Sequence, residues 1–388
     1  MKMSSRVAEY IYLIDVDRMQ KILTAKDNYR ELDEYLRGTG EKVVFLVCGG
    51  SIKYLDINSF FETLEDRLRI KVVRFSAFHP NPLYESVVKG VKEFRKSGSN
   101  QIIAVGGGSA VDVAKCIKLF SDMDDSVNYL EQQIIPNGVR LLAVPTTAGT
   151  GSEATRYAVI YYNGAKQSVT DESSIPSVVL MDPSTLETLP VYQKKCTMLD
   201  AFSHSIESLW SVNSTEESSS YAKEAIRLIL ANYKDSFENC GDGNANMLLA
   251  SNLAGKAINI TQTTAGHAMC YKLTSLYNIP HGHAAAMVNR VLWPWMIKNQ
   301  DKCIDPRGSK YLMKVFDDIA MAMGADTAEE ATDMFSSIYD GLGLVKPTDV
   351  RTSDFDILIT SVNPDRLKNN PVKLDEATIE SLYREILV

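Results

Sequence analysis

Four of the chain's five histidines, and one acid at a telling distance from the first of them, fall between Asp200 and His283. Asp200 and His204 stand four apart in Asp-Ala-Phe-Ser-His. On a helix that spacing is one turn and one face, so both side chains can hold one ion from the same side. His267 follows in Thr-Thr-Ala-Gly-His-Ala-Met, and His281 and His283 in Ile-Pro-His-Gly-His-Ala-Ala. One carboxylate with several imidazoles suits a borderline divalent metal: Fe(II), Zn(II), Mn(II) or Co(II). Asp–His pairs at this spacing also occur in helices that bind nothing, so the rest of the chain has to decide.

The elements that would position these residues can be read from the apolar pattern. Val43–Cys48, Val72–Phe75, Ile102–Val105, Leu141–Val144 and Val178–Met181 are short apolar runs of the kind that form strands buried on both faces. Helical spacing separates them, as in Tyr84, Val87, Val88, Val91 and Phe94. A hairpin is expected over Tyr157 to Val169, and residues 1–40 show no clear period. Strand and helix in alternation imply parallel pairing with helices on the faces. After about residue 188 the apolar residues take helical spacing almost throughout. The expectation is an α/β domain over 1–188 and an all-helical domain over 189–388, with the hinge near Leu189-Pro190.

Two small-residue loops lie at strand ends. Gly106-Gly107-Gly108-Ser109 stands between a buried strand and a helix start, where backbone N–H groups can meet a pyrophosphate. Pro145-Thr146-Thr147-Ala148-Gly149-Thr150-Gly151-Ser152 ends the next strand. An open α/β sheet places its ligand at such carboxyl-end loops, so the pair points to a nucleotide.

Four motifs then occur in order: Gly-Gly-Gly-Ser-Ala-Val-Asp-Val-Ala-Lys, Pro-Thr-Thr-Ala-Gly-Thr-Gly-Ser-Glu, Asp-Ala-Phe-Ser-His-Ser-Ile-Glu and Ile-Pro-His-Gly-His-Ala. Together they resemble the iron-containing (group III) alcohol dehydrogenase family over roughly residues 43 to 300. The resemblance implies a dehydroquinate synthase-like architecture, with a dinucleotide domain, a helical domain and a catalytic metal in the cleft between them. Carried over by motif, Asp200, His204, His267 and His281 are the metal ligands, with Fe(II) expected and Zn(II) or Mn(II) accepted by the same set. Gly106, Gly107, Gly108 and Ser109 form the pyrophosphate loop, Thr146 and Thr147 line the dinucleotide, and Lys166 lies near the nicotinamide ribose. Asp112 takes a helix-capping role. A homodimer is implied by the resemblance alone.

Three departures from the family pattern sharpen the expectation. The turn after the first buried strand reads Cys48-Gly49-Gly50-Ser51-Ile52-Lys53, with no carboxylate to repel a 2′-phosphate. NADP(H) is therefore expected over NAD(H), with Gly49, Gly50 and Ser51 around the phosphate and Lys53 as counter-charge. The family's second histidine, four residues after the third ligand, is Tyr271 here; Tyr271, His283 or water is left to deliver the proton. Arg156, Lys272 and Arg290 are cations where the family is usually neutral, and suit an anionic substrate. The segment is similar to the phosphonoacetaldehyde reductase branch, which implies reduction of phosphonoacetaldehyde to 2-hydroxyethylphosphonate. A general short-chain aldehyde reductase and a dehydroquinate synthase-like lyase are the alternatives.

Bulk properties narrow the setting. A net charge of −8 without lysine or arginine runs argues against nucleic acid as a partner. No apolar run approaches a membrane span, and the amino terminus lacks the apolar core of a signal peptide. Six cysteines scattered without CxxC pairs fit reduced thiols, so a cytoplasmic location is expected.

Overall fold

The computed structural model describes residues 20–388, which divide into two compact units. One comprises 20–147, 152–189 and 239–248; the other comprises 148–151, 190–238 and 249–388. The main division falls between Leu189 and Pro190. No change of hydrophobic period marks the short segments 148–151 and 239–248.

In chain order the strands are β1 (Lys21–Thr24), β2 (Val43–Cys48), β3 (Lys71–Phe75), β4 (Gln101–Gly106), β5 (Arg140–Pro145), β6 (Tyr157–Tyr162), β7 (Ala165–Thr170) and β8 (Val178–Met181). Six form one parallel sheet in the order β1-β8-β5-β4-β2-β3, and β6 pairs with β7 as a separate antiparallel hairpin. The helices of this unit begin with α1 (Lys26–Thr39), α2 (Ile57–Glu62), α3 (Leu64–Leu68), α4 (Tyr84–Ser97) and α5 (Gly108–Phe120).

Side chains alternate across the sheet with a period of two. Phe45, Val47, Ile102, Ala104, Leu141 and Ala143 enter one core with Val87, Val91 and Phe94 of α4 and Ile117 of α5. Val44, Leu46, Ile103, Val105, Leu142 and Val144 enter the other with Leu32 and Leu36 of α1 and Phe60 and Phe61 of α2. Both faces are covered, which is why these strands read as unbroken apolar runs. From β2 the chain steps outward to β3, then returns to β4 on the opposite side of β2. That reversal is a topological switch point, where an open α/β sheet leaves a ligand crevice at its carboxyl edge.

Two features differ from the sequence pattern. β1 pairs with β8 at the edge of the sheet, although Lys-Ile-Leu-Thr is too short to show a period by itself. In α5 every residue from Ala110 to Phe120 except the half-buried Asp112 is buried, Lys115 and Lys118 included, where the spacing suggests an amphipathic helix. The β6–β7 hairpin covers the outer side of α5 and satisfies its polar groups, as described below.

The helical unit contains α6 (Val191–Trp210), α7 (Glu216–Phe237), most of α8 (Gly243–Thr261), α9 (Ala265–Tyr277), α10 (His281–Lys298), α11 (Ser309–Met323), α12 (Ala328–Gly341), α13 (Thr352–Ser361), α14 (Pro364–Leu367) and α15 (Glu376–Leu387). Every residue of α6 from Met198 to Trp210 is buried, so this helix is the axis of the unit. Trp210, Trp293 and Phe335 interlock around it, with Trp210 and Trp293 at 5.7 Å and Trp293 and Phe335 at 6.3 Å. The start of α8 up to Leu248 groups with the sheet unit instead. There Asn244 donates to Asn239 at 3.0 Å, and Asn239 donates to the Glu187 carbonyl at 3.2 Å. Among the described residues no helix is long and apolar enough to cross a membrane.

Candidate functional site

In the helical unit, α6, α9 and α10 bring a carboxylate and three imidazoles together. One donor atom each from Asp200, His267 and His281 lies within 4.8 Å of the others. His267 Nε2 is 3.4 Å from Asp200 Oδ1, and His204 Nε2 is 3.9 Å from the same oxygen. The His204 and His267 rings stack at 4.4 Å with 14° between their planes. His204 Nδ1 is buried without a hydrogen bond of ordinary geometry, although the Gly149 backbone is nearby. A buried, uncompensated imidazole nitrogen beside a carboxylate and two further imidazoles fits a divalent cation better than a closed hydrogen-bond network. The donor set therefore suits the metal implied by its residue types.

Electrostatics agree at Asp200 and His204. Burial by itself would raise the Asp200 carboxyl, but His204, His267 and His281 hold it well below the usual carboxylate range. Burial pulls His204 down to about 4, against the attraction of Asp200. A neutral imidazole and an ionised carboxylate are the forms that ligate a metal.

Glu207 is the residue that sequence reasoning missed. It is fully buried on α6, and its Oε1 lies 2.6 Å from His267 Nδ1. The same carboxylate accepts from the Thr264 N–H at 2.8 Å, the Thr264 hydroxyl at 2.9 Å and Asn289 Nδ2 at 2.8 Å. Burial would raise its pKa, yet His267 and these donors hold it down to about 2. Burial opposes protonation of His267, but Glu207 and Asp200 outweigh it and push this imidazole up to about 9. A carboxylate on one nitrogen fixes the tautomer and aims the other nitrogen at the ion. The available signal was spacing: Glu207 stands seven residues after Asp200 and three after His204, on the same helical face.

Two glycines permit this closeness. A Cβ on Gly266 would collide with the Glu207 and Asn289 side chains, and one on Gly282 with the Cys196 carbonyl and, at 2.6 Å, the Asp200 Cβ. His281 itself has Cys270 Sγ 3.5 Å from its Nδ1, and the Tyr271 ring stacks on it at 5.4 Å and 15°. Burial raises the Tyr271 phenol well above its ordinary value, so it keeps its proton at neutral pH. Its oxygen accepts from Arg366 Nη1 at 3.0 Å.

The remaining sequence candidates in this unit have other neighbours. His283 is buried with Nε2 2.8 Å from the Tyr339 hydroxyl on α12, so its described partner is not the donor cluster. Arg290 reaches Asp340 at 2.8 Å and lies over the Tyr339 ring. Lys272 is half-buried on α9, next to Tyr271.

Burial lowers His283 to about 4 from 6.5. Below pH 6.5 the unfolded chain takes up a proton that the folded chain refuses, so stability falls as pH drops from 6.5 towards 4 and levels off below. His283→Gln should remove this component, up to about 3 kcal/mol. Urea unfolding of metal-free protein between pH 7 and 4 checks it; parallel profiles for the two proteins would show that His283 titrates normally.

In the sheet unit, the loops after β2, β4 and β5 share the carboxyl edge beside the switch point. Gly49 is half-buried, whereas Gly50, Ser51 and Lys53 are exposed at the end of β2, with Lys53 Nζ 4.8 Å over the Tyr54 ring. Gly107, Gly108 and Ser109 are half-buried at the start of α5, an N-terminus suited to an anion. A Cβ on Gly106 would lie 2.6 Å from the Ala110 Cβ, and one on Gly107 would press on Thr147 at 3.2 Å. The Thr146 N–H donates to the Gly106 carbonyl at 3.1 Å. The structure thus brings the Gly106–Ser109 loop against Thr146 and Thr147.

Asp112 does not cap α5. It accepts from the Ser152 hydroxyl at 2.6 Å and from the Val159 N–H of β6 at 3.1 Å, tying the hairpin to the helix. Burial raises its pKa, opposed first by Lys115 and also by Lys166 on β7, which places Lys166 in its field. Lys115 donates to the carbonyls of Thr155 and Tyr157 at 2.6 and 2.8 Å. Burial draws its pKa down to about 8 against the attraction of Asp112 and Glu153. Arg156 pairs with Glu172 at 2.7 Å.

Comparison with known proteins agrees with this geometry. Residues 19–183 match the family model described as iron-containing alcohol dehydrogenase, and residues 195–387 match the C-terminal model of the Fe-containing alcohol dehydrogenase family. The chain is 29% identical over 316 residues to an NADPH-dependent butanol dehydrogenase of Clostridium saccharobutylicum, covering 78% of this chain and 77% of that protein. It is 29% identical over 315 residues to a phosphonoacetaldehyde reductase of Streptomyces viridochromogenes, covering 78% and 80%. The fold matches an iron-containing alcohol dehydrogenase structure from Thermococcus thioreducens with a TM-score of 0.85 at 22% identity, over 95% of this chain and 99% of that one.

Proposed function

We propose that this chain, which belongs to the iron-containing alcohol dehydrogenase family, uses NADPH to reduce a small anionic aldehyde, phosphonoacetaldehyde, to its primary alcohol. The observation that carries the reading is the cluster of buried Asp200 and His267 with half-buried His281, their donor atoms within 4.8 Å of one another and His204 alongside. Fe(II) is the ion we assign, with Zn(II) or Mn(II) accepted by the same donors. When bound, the ion would supply Lewis acidity to a carbonyl oxygen and the nicotinamide would supply hydride.

The chain's own residues do the rest. Gly107, Gly108 and Ser109 offer backbone N–H groups to the pyrophosphate, and Thr146 and Thr147 line the dinucleotide. Gly49, Gly50 and Ser51 leave room for a 2′-phosphate, with Lys53 as its counter-charge. Lys166 holds the nicotinamide ribose, on a hairpin that Asp112 and Lys115 anchor to α5. Glu207 keeps His267 in one tautomer. Tyr271 keeps its phenolic proton, lies against His281 and delivers that proton to the product oxygen.

The similarity to a phosphonoacetaldehyde reductase supports the substrate. The carboxylate-free turn after β2 supports NADPH, as does the similarity to an NADPH-dependent enzyme. Initial rates with metal-loaded enzyme test both. Phosphonoacetaldehyde should exceed propanal in kcat/KM by about a hundredfold, or about 2.7 kcal/mol of transition-state binding, and NADPH should exceed NADH. Equal rates with the two aldehydes would leave a general aldehyde reductase; equal rates with the two cofactors would remove the 2′-phosphate assignment.

A further inference from the structure

Arg366, on α14, differs from the other arginines considered above for substrate. Arg156 and Arg290 each have a carboxylate partner, at 2.7 and 2.8 Å. Arg366 is half-buried and donates from Nη1 to the Tyr271 hydroxyl at 3.0 Å. Its Cζ lies 5.0 Å from the centroid of the same ring. Among the described residues no carboxylate stands within ion-pair distance of it; the adjacent Asp365 is taken by Lys368 at 2.6 Å. The Tyr271 ring also stacks on His281, at 5.4 Å. A guanidinium without a counter-ion therefore sits one aromatic ring away from the metal-donor cluster.

Chemistry gives that arrangement a use. Guanidinium carries five N–H donors in a planar fork, and the bond to Tyr271 occupies only one of them. A tetrahedral oxyanion takes two parallel N–H bonds from such a fork, and the partial shielding of Arg366 strengthens them. Stacking on Tyr271 restricts the side chain, so less freedom is lost when the anion arrives.

We propose that Arg366 is the specificity-determining residue for the anionic end of the substrate. It binds the phosphonate of a short aldehyde whose carbonyl faces the cluster of Asp200, His267 and His281. This rests on the aldehyde reductase reading above and deepens it.

The test compares metal-loaded wild type, Arg366→Gln, Arg366→Lys and Arg290→Ala. The readout is the ratio of kcat/KM for phosphonoacetaldehyde to that for propanal, together with inhibition of propanal reduction by methylphosphonate. Any common loss caused by disturbing Tyr271 cancels in the ratio. Arg366→Gln should lower the ratio about thirtyfold, as expected for one lost hydrogen-bonded contact to a charged group, and weaken methylphosphonate inhibition to match. Arg366→Lys, which keeps the charge without the fork, should fall between, and Arg290→Ala should change the ratio little. If Arg366→Gln does not fold, the Arg366→Lys ratio decides. A wild type that prefers the phosphonate while both Arg366 variants keep that preference overturns the role of Arg366 and leaves the substrate standing. A wild type with neither preference nor methylphosphonate inhibition overturns both.

Discussion

Gly282→Ala is expected to abolish tight metal binding while leaving the sheet unit folded. The added methyl would enter the contact between the start of α10 and α6, meeting the Cys196 carbonyl and, at 2.6 and 2.8 Å, the Cβ and backbone nitrogen of Asp200. Neither of those backbone groups can yield as a flexible side chain would, because both belong to α6, which is buried without a break from Met198 to Trp210. The helices must part, and His281, one residue away, parts from Asp200 with them. Overpacking of this kind costs about 1–3 kcal/mol. The loss of ligand geometry is worse: a shift of ~1 Å in a catalytic constellation can cost roughly a hundredfold. Chelator-competition titration measures the affinity, and Gly341→Ala, where a Cβ meets nothing within 4 Å, is the control. Unchanged metal affinity in Gly282→Ala would mean that α10 does not bring His281 to the ion.

Glu207→Gln is the second large effect. The substitution keeps the volume but replaces one acceptor oxygen with an NH2 group, in a site where His267, Thr264 and Asn289 all point donors at the carboxylate. One donor pair must then face another. Metal affinity should fall about 10–100-fold, the usual cost of losing an outer partner to a ligating histidine. The metal-free protein should also lose about 1–3 kcal/mol, because a buried donor is left unsatisfied. Affinity unchanged alongside lowered stability would make Glu207 a structural carboxylate with no part in holding the ion.

What could be read from the sequence, and what could not, follows from where each signal lives. β2, β4 and β5 are covered on both faces, so burial writes itself into consecutive apolar residues. β1 is equally real but has four residues at an edge, and its place comes from β8 rather than from its own pattern. Asp200 and His204 are visible as a pair because a helix turns once between them. The convergence of His267 and His281 on that pair is not local, and only the order of motifs suggested it. Lys115 was hidden because a lysine on a helix normally faces water, and no local rule says that a distant hairpin will cover it with carbonyls. Arg366 lies 95 residues from the tyrosine it touches, beyond any spacing argument.

The segment 239–248 carries one more consequence, for the order in which the protein can be made. The sheet unit takes Asn239 through Leu248 from the far side of α6 and α7 in the chain. As the polypeptide leaves the ribosome, every strand has emerged by Met181, yet this unit still lacks the piece that bonds to Glu187. Its completion must wait until α6 and α7, which belong to the other unit, have been synthesised. The two units are thus sequential as sequence families but interleaved as folding problems, and a fragment ended at Leu189 carries the sheet without its last layer of contacts.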